Sequence, residues 1–338
     1  MSGALACQTT VVVPCAADNT LYESLTGNLS NGAGAGVFAG VNGSNQKRRG
    51  LMRFDVAAAV PAGAKIVSAT LEINIVMTAA ALPIDVMVHR VLQSWGEGTS
   101  VATGGGGGGG AATTGDATWL HRFWPSTLWT TPGGDFAPAP SFTMSTAPMS
   151  LATGPAGPGS VVDAQFWLDN PAQNFGWLLK TSEALAFTAR RIDSKESMGI
   201  PPNLTITYLM PGQLGTWGTG CPVGAGTFTF NYSGAPIGGT TIQLVQSAGP
   251  ALGIGANFFS LGLDPVGATL LPSCKVYLPL AQEIIAGSVF FLDGAGGASS
   301  PFLVPAGFPG YLVVSQSVVL DNNPLGFLLS NAGLADLQ

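Results

Sequence analysis

Glycine and proline interrupt this chain too often for a helical protein. There are 48 glycines and 24 prolines among 338 residues, and inside a helix they cost roughly 1 and 3 kcal/mol each. Between these breaks lie short runs in which apolar and polar side chains alternate. LMRFDV (51–56), KIVSATLEINIVM (65–77), IDVMVHRVL (84–92), FGWLLK (175–180), FTARRID (187–193) and LTITYL (204–209) follow the period of two of a half-buried strand. One segment departs from this. VVDAQFWLDNP (161–171) spaces Val162, Phe166 and Trp167 as a helix does and ends on Asn-Pro. The pattern predicts an all-β protein with one helix.

After Tyr208 the chain reads LMPGQLGTWGTG, rich in Pro and Gly and without periodicity, which predicts a linker over 210–220. Beyond it, TFTFNYSG, TTIQLVQSAG, KVYLPL, SVFFLDG, YLVVSQSVVLD and LGFLLSNAG recur at about ten-residue spacing. They predict a second, smaller β-sandwich over 221–338. Residues 1–15, with VVVP and a small Cys loop, predict an added strand that pairs within the chain or crosses to a neighbour.

Charged residues make up 9% of the chain and the net charge is −6, against a usual charged share of about 25%. So neutral a surface repels itself weakly and suits packing against copies of itself or a neutral polymer. Lys47-Arg48-Arg49 is too small a basic group for a nucleic-acid footprint. No apolar run approaches the ~20 residues of a membrane-spanning helix. Of the 12 Lys and Arg, only Lys275 lies beyond residue 210, so the two modules differ in kind.

The four cysteines, Cys7, Cys15, Cys221 and Cys274, lack the close spacing of a metal site. Paired within modules, they predict disulfides Cys7–Cys15 and Cys221–Cys274 and an oxidising, extracellular compartment. No signal peptide is visible, and a secreted protein of this kind is expected to have had it removed.

The first module carries an ordered set of marks: ADNTLYES (17–24), RRGLMRFDV (48–56), PAGAKIVSATLEI (61–73), SWGEGTS (94–100), SKES (194–197) and PPNLTITY (201–208). Over residues 16–209 this order resembles the DNRLRE-type domain family of secreted bacterial and archaeal proteins. The resemblance implies a jelly-roll-like β-sandwich, grouped with carbohydrate-binding modules, extracellular and not enzymatic. The second module is similar to small C-terminal β-domains of planctomycete-like secreted proteins. An expanded middle, residues 101–160, departs from the family pattern.

That insert holds VATGGGGGGGAATTGD (101–116). By composition such a run is a flexible linker, but its place between strand-like segments puts it inside the first module. Glycine lets backbones approach closely. Gly104, Gly105, Gly106, Gly107, Gly108, Gly109 and Gly110 are therefore expected to lie against another backbone, of their own insert or of a neighbouring subunit. The insert continues GDATWLHRFWPSTLWTTPGGDF (115–136), whose Trp119, Phe123, Trp124 and Trp129 can stack on sugar rings, anchor an interface, or roof one end of the sandwich. Trp95, Trp167 and Trp177 lie in patterned segments and are expected in the core.

No catalytic constellation stands out. His89 and His121 have no local ligand partner, and Glu97, Asp116 and Asp135 read as turn-stabilising carboxylates before they read as a glycosidase pair. There is no GxSxG, HExxH or phosphate-binding loop. Asp18, Asn19 and Asp193 could supply oxygens to a structural calcium, without a dense Asp/Asn loop to support it; no other cofactor is expected. Arg48, Arg49, Arg53, Asp55, Arg190, Arg191, Asp193, Lys195 and Glu196 read as an ion-pair network. Asn28, Asn42, Asn203 and Asn231 head glycosylation sequons. Two functions follow as expectations: a self-associating subunit of a fibre, sheath or surface layer, or an adhesion module that binds polysaccharide through loop aromatics.

Overall fold

The computed structural model describes residues 8–338. The protein is all-β, with short helical segments, and its strands fall into two units. One comprises 11–62 and 69–206; the other comprises 207–338 with 63–68 and, among the described residues, 8–10.

Most of a ten-stranded sheet lies in the first unit. Along it run Thr9–Tyr22, Asn203–Leu209, Lys65–Thr78, Arg190–Asp193, Gly36–Val41, Lys47–Phe54, Trp177–Lys180, Ile84–Arg90 and Phe142–Thr146, with Leu151–Thr153 added beside Lys65–Thr78. The Thr9–Tyr22 strand also pairs antiparallel with Lys47–Phe54, from Cys15 opposite Phe54 to Tyr22 opposite Arg48. That second pairing closes part of the sheet into a barrel-like ring and leaves its strands without a free edge there. The described part of the expected N-terminal arm is thus a strand paired within its own chain.

The helix spans Pro158–Asp169, with Gly157 before it and Pro158 in its first turn. It starts three residues earlier than the periodicity suggests, because Gly-Pro sets its beginning. It ends at Asn170, whose N–H bonds the Phe166 carbonyl. Trp167 packs edge-on to Trp177, ring centres 4.8 Å apart. Val162 faces solvent and Asp163 faces in, where it accepts a 2.7 Å hydrogen bond from Trp177 Nε1 and lies 3.6 Å from Arg90.

In the second unit, a five-stranded sheet orders Leu214–Trp217, Phe327–Asp336, Leu312–Leu320, Ile254–Ser260 and Ile285–Phe291. A three-stranded sheet of Thr229–Ser233, Thr241–Ser247 and Ala298–Leu303 contributes Phe230, Tyr232, Ile242 and Leu244 to a core shared with Phe259, Val313 and Ala335. A polar group is buried in the same layer. Gln246 Nε2 and Ser317 Oγ both donate to Asn257 Oδ1, at 2.9 and 2.7 Å. The expected linker is corrected here. Leu214–Trp217 is a strand, paired from Leu214 opposite Ala335 to Trp217 opposite Ala332. Its Pro/Gly punctuation marks the turns on either side, and its partner comes from the far end of the chain. The Cys221–Cys274 disulfide is present. Cys7 lies outside the described residues, and Cys15 is a buried thiol directed at the Ala17 carbonyl.

Candidate functional site: an uncovered sheet face

The five-stranded sheet of the second unit has one face toward the sandwich core and one face away from it. The inner face follows from alternation: Phe290, Val319 and Leu328 are buried. Their neighbours along each strand must point the other way. At one end of this outer face, Val314, Ala332 and Leu334 are covered by Val67, Leu209, Tyr277 and Leu278. The covering segment Cys274–Leu278 is held to the sheet by Gln316, whose Oε1 accepts from Tyr277 N at 2.9 Å and whose Nε2 donates to the Lys275 carbonyl at 2.7 Å. The disulfide anchors the start of this segment.

At the other end, Leu329 is buried and Val318 and Phe327 pack partly against the cluster around Cys221 and Cys274, but among the described residues Phe291, Ile254 and Leu320 are left largely uncovered. Phe291 stands opposite Ile254, and Leu320 opposite Phe327, on either side of the Gly255–Val319 pair. Phe291 is 70% exposed, Leu320 65% and Ile254 46%. The next rank, Val289, Ala256 and Val318, continues the same apolar surface. Between this row and the covering segment lies a groove of 340 Å³ lined by Phe258, Leu270, Val276, Leu278, Ile284, Gln316, Val318, Phe327 and Leu329. None of the side chains in the row or the groove is charged. Acidic residues follow at the margins in sequence: Glu283 before Ile284, Asp293 after Phe291 and Asp321 after Leu320. The Ile285–Phe291 strand is also the open edge of the sheet, but its register shifts opposite Asn257. Such an irregularity blunts an edge for strand pairing, so the side-chain face rather than the backbone is the available surface. Sequence reasoning missed it because SVFFLDG is apolar at successive positions and shows no preferred face.

The insert of the first unit has a different character. Trp119 and Trp129 belong to a buried cluster with Leu21, Leu51, Val91, Trp95 and Leu178. Trp129 Nε1 donates to the Thr118 carbonyl at 2.9 Å, and Arg49 lies over the Trp119 ring at 4.8 Å. These two rings roof the core and are closed to a sugar. Phe123 and Trp124 remain half-buried, Trp124 meeting His121 edge-on at 4.7 Å. Trp95, Trp167 and Trp177 are buried as expected.

The glycine run is held by its own unit. Tyr22 Oη donates to the Gly106 carbonyl at 2.7 Å and Arg48 Nε to the Gly107 carbonyl at 3.2 Å. Gly110 pairs with Ser30 in a short ladder. Gly106 has φ +86° against the Phe38 ring, a backbone shape that glycine adopts at little cost. A neighbouring subunit is not needed to place this loop.

The charged groups take local tasks. Asp116 accepts from Thr113 N at 2.6 Å, and Asp135 from Thr130 N and Thr131 N at 2.8 and 3.0 Å, so both stabilise bends. His89 Nδ1 meets the Ala137 carbonyl at 2.9 Å and is buried, which lowers its pKa. The basic strands do not form one network. Arg49 pairs with Glu183 at 2.7 Å, Arg53 lies 3.8 Å from Asp55, and Arg48 and Arg191 bond carbonyls. Arg190 is fully buried among Thr78, Thr146 and the Leu82 carbonyl. Lys195 lies 3.3 Å from Glu97 and also pairs with Glu196. Asp18 Oδ2 takes the Lys195 N–H at 2.7 Å, while burial, with Glu196 and Glu97 nearby, pushes its pKa up to about 8. Asn19 Oδ1 accepts from Thr20 N and Asn31 N, and Asp193 from Ser197 Oγ and Ile200 N. Among the described residues, no group of three or more His, Cys, Asp or Glu is arranged to hold a metal, and no helix is long and apolar enough to cross a membrane.

No family model matches the sequence, and no curated protein matches it. Among solved structures, the chain is similar to a β-1,2-glucanase from Parabacteroides distasonis, at 8% identity and a TM-score of 0.20. The match covers 98% of this chain and 37% of that one. The chain therefore spans little more than a third of the glucanase, and a likeness so low carries no argument about activity.

Proposed function

We propose that this is an extracellular structural protein that self-associates through its second unit. The observation that carries the reading is the uncovered apolar row of Phe291, Ile254 and Leu320 beside an apolar groove. Contiguous apolar surface of this kind, rimmed by polar residues, marks interaction sites. The composition supports the same reading. Beyond residue 206 there are five acidic residues and one basic residue, Lys275, too few for strong mutual repulsion. The disulfide supports an oxidising compartment. The glycine run, held by Tyr22 and Arg48 of its own unit, lends the reading no support. The polysaccharide alternative is narrowed to Phe123 and Trp124, because Trp119 and Trp129 are buried.

Imaging of the purified protein across a concentration series tests the proposal. Particles larger than one chain are expected at high concentration. A uniformly monomeric population at every concentration would sink it.

A further inference from the structure

Resting on that self-association, we infer that the occupant of the groove is Phe291 of a second copy, and that two copies exchange this ring reciprocally about a two-fold axis. An isologous interface uses one patch on both partners, so knob and hole must lie on the same face. They do. Phe291 projects from the outer face at the edge strand, and the groove opens on that face, with Phe327 belonging both to the row and to the groove wall. The sizes are compatible. A groove of 340 Å³ has room for a benzyl group, whose own volume is on the order of 100 Å³, with relaxation of its walls.

The chemistry is compatible too. No charge lines the groove, so a polar or charged partner side chain would lose its hydration there without compensation, whereas an aromatic ring gains from burial. A second copy brings the same exposed apolar row to the contact, doubling the apolar surface that can be buried. A standard interface takes roughly 800 Å² from each partner. Phe291, Leu320, Val289 and Ile254, at 70, 65, 62 and 46% exposed, offer apolar surface toward that area. The acidic margins, Glu283, Asp293 and Asp321, would be brought near their equals. Salt should therefore strengthen the contact by screening them, the opposite of an association held by ion pairs. An isologous contact closes on itself and yields pairs; a larger assembly needs a further contact elsewhere.

The test uses full-length chains. An isotope-labelled Phe291→Cys variant is mixed with an unlabelled Leu270→Cys variant and oxidised, and cross-linked peptides are read by mass spectrometry. The expected product joins position 291 of a labelled chain to position 270 of an unlabelled one. Phe291→Ala, whose ring is mostly exposed and dispensable for folding, is expected to raise the dimer dissociation constant by about a hundredfold or more, since two reciprocal anchors are lost. If the wild type associates but only 291–291 links form, or no 291–270 links form, the ring exchange is overturned while self-association stands. If the wild type does not associate at all, both fall.

Discussion

Replacing Asp18 by Asn should make the protein more stable, and by an amount that depends on pH in a defined way. Asp18 is fully buried, with Oδ2 on the Lys195 amide and Oδ1 without a hydrogen-bond partner. Burial first, then Glu196 and Glu97 against the opposing Lys195 contacts, raises its pKa from 3.8 to about 8. A carboxyl raised in this way holds its proton in the folded state while the unfolded chain has lost it. Stability falls as pH climbs from about 4 to about 8 and levels above that. At pH 7 the gap of some three units corresponds to roughly 4 kcal/mol. Asparagine is isosteric, keeps an oxygen for Lys195 N and carries no charge to bury. Urea unfolding of both proteins, followed by circular dichroism from pH 4 to pH 8, isolates the effect as a difference in which other titrations cancel. The variant should match the wild type within about 1 kcal/mol at pH 4 and exceed it by several kcal/mol at pH 7–8. A difference that does not change with pH, or one that favours the wild type at pH 8, would refute the reasoning.

Other consequences are as definite. Gly106→Ala should destabilise by about 1–2 kcal/mol, since φ is +86° and the new Cβ would sit 3.2 Å from Phe38. Gly108→Ala, with open space around it, should be neutral or stabilise slightly in the same thermal melts. Trp119→Ala should lower stability by about 3–5 kcal/mol, as a core truncation does, and a melt unchanged from wild type would contradict its burial. Reduction of Cys221–Cys274, which closes a separation of 53 residues, should cost about 4 kcal/mol by loop entropy, read from denaturant midpoints with and without reductant.

The strand-rich class and the second disulfide were legible because period-two alternation and cysteine placement are local or nearly so. The helix was legible apart from its start, which Gly157-Pro158 fixes. The burial of Trp119 and Trp129 was not legible. Their segment has no periodicity, and only its return over Leu21, Leu51 and Leu178 puts the rings inside. Leu214–Trp217 looked like linker for a related reason, as its partner strand lies more than a hundred residues away. The candidate surface was hidden most completely. Val289, Phe290 and Phe291 are all apolar, and which of them faces out depends on pairing with Ile254–Ser260 and on where Cys274–Leu278 crosses the sheet. Sequence gives the hydrophobicity of that strand but not the part of it left uncovered.

Self-association through the outer face is tested most directly by sedimentation equilibrium of the wild type beside a Phe291→Asp, Leu320→Asp double variant. Both side chains are exposed, so the variant should fold with an unchanged melting profile. The wild type is predicted to show a concentration-dependent mass above one chain, strengthened by salt, and the variant a single-chain mass throughout. A wild type that stays monomeric, or a variant that associates equally well, would contradict the account.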